Sequence, residues 1–129
     1  MVRMIAALIG GAGPGAAAAV LKDADLAKAG VGVAHFFGGG AYVKETEIPA
    51  GAALAQHAHD HDHLSYLVSG EVRLEVEGHA SPMWLRGPCA IEVKAGRTHA
   101  VHAVTDAVWL CIWATDCTDP ERVDEVLLG

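Results

Sequence analysis

The chain has 129 residues and a mass of 13.4 kDa, which suits one domain and is too short for two ordinary ones. Hydrophobic residues make up 52% and charged residues 19%, a composition that excludes intrinsic disorder over most of the length. The net charge is −7 and the basic residues are not clustered, so we expect no nucleic-acid partner. No apolar run reaches the ~20 residues that cross a bilayer, and we expect no membrane partner either.

The three cysteines are Cys89, Cys111 and Cys117, and no two of them have CxxC spacing. An odd, sparse set of this kind is typical neither of a disulfide framework nor of a zinc knuckle. We therefore expect reduced thiols that pack mostly in the core, and a cytoplasmic protein.

The N-terminal arm, residues 1–30, is rich in small residues, since 11 of its first 20 are Gly or Ala. A signal peptide would need an apolar stretch that the run Gly10–Gly15 interrupts. The segment Gly11–Ala16 has the letters of a dinucleotide-binding fingerprint, but the β-rich remainder is too short for a doubly wound sheet. The favoured interpretation is an arm or edge strand, followed by a short helix near Ala16–Ala29.

From about Val31 the pattern changes to short runs of β-branched and aromatic residues, separated by Gly, Pro and Asp. This spacing of 8–12 residues predicts an antiparallel all-β sandwich or barrel over residues 31–116, within a single domain of residues 1–129. The predicted strands are Val31–Phe37, Ala41–Ile48, Leu54–His59, His63–Val68, Glu71–Val76, Cys89–Val93, His99–Val104 and Val108–Ala114.

Two of these runs indicate which faces are buried. Glu71–Glu77 alternates apolar and charged residues, which predicts a strand with one buried and one solvated face. Val108–Trp113 is apolar throughout, as expected for a strand that is covered on both sides.

The last predicted element is a short C-terminal helix over residues 118–128. Thr118 and Glu121 have the spacing of a capping box, and Pro120 falls in the first turn. The apolar positions that follow predict a helix that lies on the barrel rather than one that binds a partner, although a dimer contact stays open. These positions are Val123, Val126 and Leu127.

Histidine is the unusual residue of this chain, because four of the eight fall within seven positions. His57 and His59 are two apart in a predicted strand, so their rings share a face. His63 opens the next strand after a short turn, and His99 opens another strand 36 residues later. Imidazoles that converge from separate strands are what a metal site requires.

The same residues resemble the cupin superfamily, a group of small β-barrels with two sequence motifs. Gly51, His57, His59, His63 and Gly70 match every spacing of the first motif, with His63 at the position usually held by glutamate. The second motif is partial. Gly87 and the run Gly96–His99 match it, whereas Lys94 and Ala103 replace its usual Pro and Asn.

The resemblance covers roughly residues 41–114 and implies a jelly-roll (double-stranded β-helix) barrel. It also implies that His57, His59, His63 and His99 bind one divalent transition metal inside the barrel, as in small manganese cupins with four histidines.

The ligand type sets the chemistry of such a centre. Four neutral imidazoles leave the ion its full +2 charge, which favours Lewis acidity and the divalent state. Nitrogen ligands suit transition metals rather than Ca or Mg. Mn or Fe is the favoured metal, and Ni, Cu, Co and Zn fit the same ligands. A six-coordinate ion would keep two coordination positions for a substrate, whereas a four-coordinate zinc would have none left and would be structural.

A solvated His/Asp-rich loop that binds metal adventitiously is the main alternative to a built site. His61 lies at the turn tip between two aspartates and is expected to face water. Asp60 and Asp62 are expected to form the turn, although either could orient a metal-binding imidazole by accepting a hydrogen bond from its other ring nitrogen. His102 falls three residues after His99, and therefore on the opposite strand face.

Further aromatic and basic residues are candidates for the pocket. Tyr66 lies three residues after His63, so its ring is expected on the opposite face. Trp109 and Trp113 share a face with Cys111, with core packing favoured over a place above the metal. His35 and His79 are expected in loops or at the surface. Arg97 is expected to form a surface ion pair, with binding of a substrate anion as the alternative.

Two functions follow from these residues. One is a metal-dependent dioxygenase or other oxidoreductase that acts on a small chelating organic substrate, with isomerase or lyase chemistry less favoured. The other is a non-catalytic metal- or ligand-binding cupin with an accessory or structural role. In both cases we expect a homodimer.

Overall fold

The structure, a computed structural model, describes residues 4–8, 20–21, 30–56, 62–119 and 122. Eleven strands lie within these ranges, and none of the described residues is helical. The strands are β1 (Met4–Leu8), β2 (Val20–Leu21), β3 (Gly32–Gly38), β4 (Ala41–Ile48), β5 (Ala52–Gln56), β6 (His63–Ser69), β7 (Glu71–Val76), β8 (Met83–Arg86), β9 (Cys89–Val93), β10 (His99–Ala103) and β11 (Ala107–Ala114).

The strands form two antiparallel sheets. The six-stranded sheet has the order β2-β1-β5-β10-β7-β8, and the five-stranded sheet has the order β3-β4-β11-β6-β9. Consecutive strands from β4 to β7, and again from β8 to β11, lie in different sheets, so the chain crosses from one sheet to the other between them. Gly70 makes such a crossing between β6 and β7 with a φ of +90°, and a Cβ there would lie 2.8 Å from the Cα of Ala107.

The strict alternation of buried and solvent-facing residues positions the core between the sheets. In β4 and β11 every second residue is buried, and these two strands are register partners over their full length. The fully enclosed apolar side chains come from both sheets and form one cluster. They include Tyr42, Ile48, Leu54, Leu67, Val72, Leu74, Val101, Trp109, Cys111 and Trp113.

The predicted all-β jelly roll is confirmed. The strands β4, β7 and β9 have the predicted bounds, and the other predicted strands are offset by one or two residues where they are described. β8 was not predicted, because it has four residues, and it is an edge strand that pairs with β7 alone.

The chain termini are described only in part. Met4–Leu8 forms a strand, but not the edge strand expected for the arm, because it pairs with β5 on one side and with β2 on the other. Val20–Leu21 lies inside the segment where a helix was expected, but it pairs with β1 as a strand. The rest of that segment, and most of the expected C-terminal helix, lie outside the described residues.

In the described part of the chain, no helix has the length and apolar character needed to cross a membrane.

Candidate metal centre

Two of the four predicted ligands, His63 and His99, meet inside the barrel although they belong to different sheets. His63 is the first residue of β6 and is 4% exposed, and His99 is the first residue of β10 and is 3% exposed. Their ring centres are 5.9 Å apart and the ring planes are tilted by 45°. Successive residues of a strand face opposite sides of the sheet, and in both strands the first residue is buried while the next is more exposed. Both histidine rings therefore point into the barrel.

The other two predicted ligands, His57 and His59, lie outside the described residues, as does His61. The strand that precedes them, β5, ends at Gln56, which is the register partner of His99. Among the residues that the structure describes, no group of three His, Cys, Asp or Glu side chains could hold a metal ion. The four-histidine assignment therefore stays a prediction.

The loop that leads into His99 is held on one side by Asp62, the residue before His63. The Asp62 Oδ1 atom accepts a hydrogen bond of 2.8 Å from the backbone N–H of Ala95, and Lys94 Nζ lies 3.5 Å from Oδ2. These contacts hold the pKa of Asp62 below its ordinary value, chiefly through the bond from Ala95. Asp62 thus links the start of β6 to the loop before β10.

Glu77 holds the same loop on the other side. Its Oε2 atom accepts hydrogen bonds from the backbone N–H of Thr98 at 3.1 Å and from the Thr98 hydroxyl at 3.0 Å. Its backbone carbonyl accepts from Arg97 Nη1 at 3.0 Å, and its backbone N–H donates to the Thr98 carbonyl at 2.9 Å. The two bonds from Thr98 hold the pKa of the Glu77 carboxyl below its ordinary value. Thr98, the residue immediately before His99, is therefore bound to Glu77 through its backbone N–H, its backbone carbonyl and its hydroxyl.

The electrostatics of His63 suit a metal ligand. Burial lowers the pKa of His63, since the charged imidazolium is poorly solvated inside the barrel, and the nearby Leu64 carbonyl and Asp62 only partly oppose this effect. A neutral imidazole is the form that binds metals.

A row of stacked rings extends from the histidines across the five-stranded sheet. The His63 ring lies 4.7 Å from that of Trp113, and Trp113 stacks on Tyr42 at 5.5 Å. Tyr42 in turn stacks on His35, and its hydroxyl lies 2.6 Å from His35 Nδ1. Trp113 is therefore both a core residue and a direct wall of the histidine site. His35, expected at the surface, instead faces inward.

A band of polar and nucleophilic side chains crosses the interior two residues along the strands from His63, Trp113 and Tyr42. Ser65, Cys111 and Lys44 are register neighbours in β6, β11 and β4, and each is 0% exposed. The Ser65 hydroxyl lies 3.9 Å from Cys111 Sγ. Lys44 was overlooked in the sequence, although its alternation with Tyr42 and Ile48 already indicated an inward position.

The remaining candidates lie outside the interior. Tyr66 faces away from His63, as predicted. His102 faces away from His99, also as predicted, and its Nε2 lies 3.4 Å from Glu75. His79 is exposed, and Arg97 binds the Glu77 carbonyl. His79 lines a surface cavity together with His99, whereas Tyr66 and His102 face away from the two buried rings.

The two described histidines fit a shared transition-metal ion. Two rings that bind one ion through ~2.1 Å bonds have centres at most ~6.5 Å apart, and the observed separation of 5.9 Å lies within that limit. Imidazole nitrogens suit Mn, Fe, Co, Ni, Cu and Zn. The donor type and the burial of both rings, together with the lowered pKa of His63, therefore agree with a ligand role for His63 and His99.

A comparison with known protein families identifies the family of this chain. Residues 44–113, more than half of the chain, match the family described as Cupin domain. The chain belongs to the cupin family. No match was found among curated proteins.

Solved structures agree with this assignment at the level of the fold. An RmlC-like cupin from Shewanella frigidimarina is 22% identical, with a TM-score of 0.58 over 70% of this chain and 80% of that one. A predicted oxalate decarboxylase from Thermotoga maritima is 16% identical, with a TM-score of 0.55 over 64% and 77%. A putative acetylacetone dioxygenase from Methylibium petroleiphilum is 16% identical, with a TM-score of 0.52 over 65% and 61%.

Proposed function

We propose that this cupin binds one divalent transition-metal ion through His57, His59, His63 and His99 and oxidises a small chelating organic molecule. The observation that carries the proposal is the pair of buried rings, His63 and His99, 5.9 Å apart within the barrel. Mn or Fe is the favoured ion, and Co, Ni, Cu and Zn suit the same donors. Such an ion supplies Lewis-acid and redox chemistry to a substrate that chelates it.

The surrounding residues support this role in separate ways. Trp113 covers one side of His63 with an apolar ring, which excludes water from that side. Asp62 and Glu77 hold the loop before His99 from its two ends. The ligand rings are thus positioned by contacts that do not depend on the substrate.

The buried polar side chains of the described interior are the groups that could act beside a bound metal. Among the described residues, the buried polar side chains are Lys44, Thr46, His63, Ser65 and His99. No Asp or Glu in this set could act as an interior general base. The putative dioxygenase and the predicted decarboxylase among the structural neighbours have the same fold, and we extend only the oxidative class of reaction to this chain.

The three cysteines support a reducing compartment. All three lie in the described part of the chain, and none is disulfide-bonded. We therefore place the protein in the cytosol.

Metal content tests the site directly. The wild-type protein, purified without a histidine tag, should hold about one transition-metal ion per chain, measured by elemental analysis. His63→Ala and His99→Ala should lose it. His102→Ala is the matched control, because His102 lies three residues from His99 and faces outward. Retention of the ion by both ligand variants would refute the proposed centre.

Oxygen uptake tests the reaction. Protein loaded with Mn, Fe, Ni or Cu should consume oxygen with at least one member of a panel of diketones, thiols and phenols. A protein that binds the ion stoichiometrically but consumes no oxygen would refute the oxygenase and leave the non-catalytic metal-binding cupin.

A further inference from the structure

Four rings on the inner side of the five-stranded sheet lie in direct contact, and we call them the ring row: His63, Trp113, Tyr42 and His35. The ring centres are 4.7 Å apart between the first and second, 5.5 Å between the second and third, and 5.8 Å between the third and fourth. These separations are typical of aromatic rings that pack on one another. The ring row therefore connects a candidate metal ligand with β3, which is an edge strand of the sheet.

The two middle rings, an indole and a phenol, belong to the side chains that lose a single electron most readily. The chain has three tryptophans and two tyrosines, and the ring row holds one of each with their planes only 13° apart. Trp113 is 3% exposed and Tyr42 is 0% exposed, so no bulk water separates them. A phenol that gives up its proton as it is oxidised is a better reductant than an indole. An oxidised Trp113 can therefore take an electron from Tyr42 across the ring contact.

The hydrogen bond between Tyr42 and His35 supplies a place for the phenol proton. A phenol that has lost an electron is a strong acid, and a buried positive charge on its ring would be costly. Tyr42 is fully enclosed and cannot release the proton to water. Its hydroxyl lies 2.6 Å from His35 Nδ1, and an imidazole with its hydrogen on Nε2 accepts a proton at that atom. His35 is only half-buried, so the charge it gains is partly solvated.

The other ring that packs on Tyr42 is inert. Phe37 stacks on it with ring centres 4.9 Å apart and planes 23° apart. A phenyl ring resists the oxidants that act on phenols and has no acidic proton, so Phe37 covers Tyr42 without extending the ring row. Tyr66, the second tyrosine of the chain, faces away from the interior. Tyr42 is therefore the position at which an electron vacancy from Trp113 comes to rest.

We propose that the ring row is a one-electron relay, in which Trp113 passes an oxidising equivalent from the histidine end to Tyr42 while His35 takes the phenol proton. One electron moves from Tyr42 to the oxidised indole, which returns to its resting state. The O–H bond of Tyr42 breaks and an N–H bond forms at His35 Nδ1. The products are a neutral phenoxyl radical and an imidazolium, so charge and atoms balance.

The relay removes oxidising equivalents from the ligand rings. Its oxidant during turnover is a higher oxidation state of the bound ion, and this role rests on the proposed function. The radical is then held on Tyr42, one ring away from His63. A soluble one-electron reductant of the thiol or ascorbate class restores the phenol, whose oxygen takes its proton back from His35.

Photo-oxidation of the metal-free protein tests the relay. Light that indole absorbs and phenol does not should ionise tryptophan, with a cobalt(III) ammine complex to take up the ejected electron. The wild type should then show a neutral tyrosyl radical in its electron paramagnetic resonance spectrum. Tyr42→Phe should lose this signal, and Tyr66→Phe, the matched control, should keep it. A wild type without a tyrosyl radical, or a signal that only Tyr66→Phe removes, would overturn the proposal.

Further variants test the path of the electron and of the proton. Trp113→Phe should lose the tyrosyl radical, whereas Trp84→Phe, which also removes one tryptophan but at a position 67% exposed on the other sheet, should keep it. His35→Phe should leave an oxidised indole and form no tyrosyl radical, because the phenol proton has no acceptor. Circular dichroism checks that each variant is folded. A tyrosyl radical that persists in folded Trp113→Phe or His35→Phe would overturn the relay.

Cys111 is the competing end point, because its thiol is oxidisable and lies two residues from Trp113 on the same strand face. Cys111→Ala should leave the tyrosyl signal unchanged, and its loss in this variant would overturn the proposal. These measurements need no metal. A protein without a metal centre can therefore still show the relay, and a metal-binding protein can lack it, so the two proposals fail separately.

Discussion

The two ends of the barrel interior are stabilised by different interactions, although the same strands contribute residues to both ends. We define the histidine end by Tyr42, His63, His99 and Trp113, and the apolar end by Ile48, Leu67, Val72, Ala103 and Ala107. Within β6, His63 and Leu67 face the same side and are only ~13 Å apart. Leu67 is enclosed by other apolar residues, whereas Asp62, the residue immediately before His63, accepts a hydrogen bond at the surface.

The difference shows how one small barrel combines stability with a reactive site. Hydrophobic burial is non-directional, so the apolar end tolerates changes in geometry at the cost of stability. Hydrogen bonds fix direction but contribute little net free energy. We therefore expect the largest effects on unfolding from changes at the apolar end, and smaller effects on unfolding but larger effects on metal affinity from changes around the histidine end.

The largest expected effect lies at the apolar end. Leu67→Ala should lower the free energy of unfolding by about 2–5 kcal/mol, because it leaves a cavity in a packed core, measured by denaturant titration. The folded variant should still bind metal with wild-type stoichiometry. Trp84→Ala, a larger truncation at an exposed position, should change stability by less than ~0.5 kcal/mol. An equal loss in both variants would contradict the description of the apolar end.

The hydrogen bond between Tyr42 and His35 should be worth less. Tyr42→Phe removes the hydroxyl that lies 2.6 Å from His35 Nδ1 and should cost about 1 kcal/mol of stability. A double-mutant cycle with His35→Phe should show a coupling of about that size. If the two substitutions are additive, the bond does not stabilise the fold.

Glu77 should matter for metal affinity more than for stability. Glu77→Ala removes the carboxylate that holds Thr98, so His99 should be less well positioned and metal affinity should fall by less than about tenfold. Competition with a chelating dye measures this. Glu75→Ala, two residues earlier and facing outward, is the matched control. An equal loss of affinity in the control would show that Glu77 has no special role.

The smallest effect should appear in acid. The pKa of Glu77 is held below its ordinary value of 4.5 in the folded protein, so its contribution to stability is present above that value and is lost as the pH falls. Between about pH 6 and about pH 3 the melting temperature should fall more in the wild type than in Glu77→Gln. Solvent exposure keeps the difference small. Parallel melting curves for the two proteins would contradict this sign.

Most strands of the two sheets could be predicted from the sequence. A run of β-branched and aromatic residues between turn signals predicted β4, and strict alternation predicted β7, both with their observed bounds. The same parity rule correctly placed Tyr66 and His102 on outer faces. It could not predict β8, because four residues carry too little pattern and the strand depends on β7 for its pairing. Nor did it predict the pairing of Val20–Leu21 with β1.

The candidate site could likewise be predicted from the sequence only in part. The histidine spacing and the cupin motif identified His63 and His99 as partners, but only the tertiary structure set their rings 5.9 Å apart. It also decided that Glu77 binds Thr98, 21 residues away, and that Lys44 lies beside Cys111. Local pattern fixes the face of a strand because neighbouring side chains alternate. Contacts between distant residues depend on which strands pair and in what register, and no local spacing contains that information.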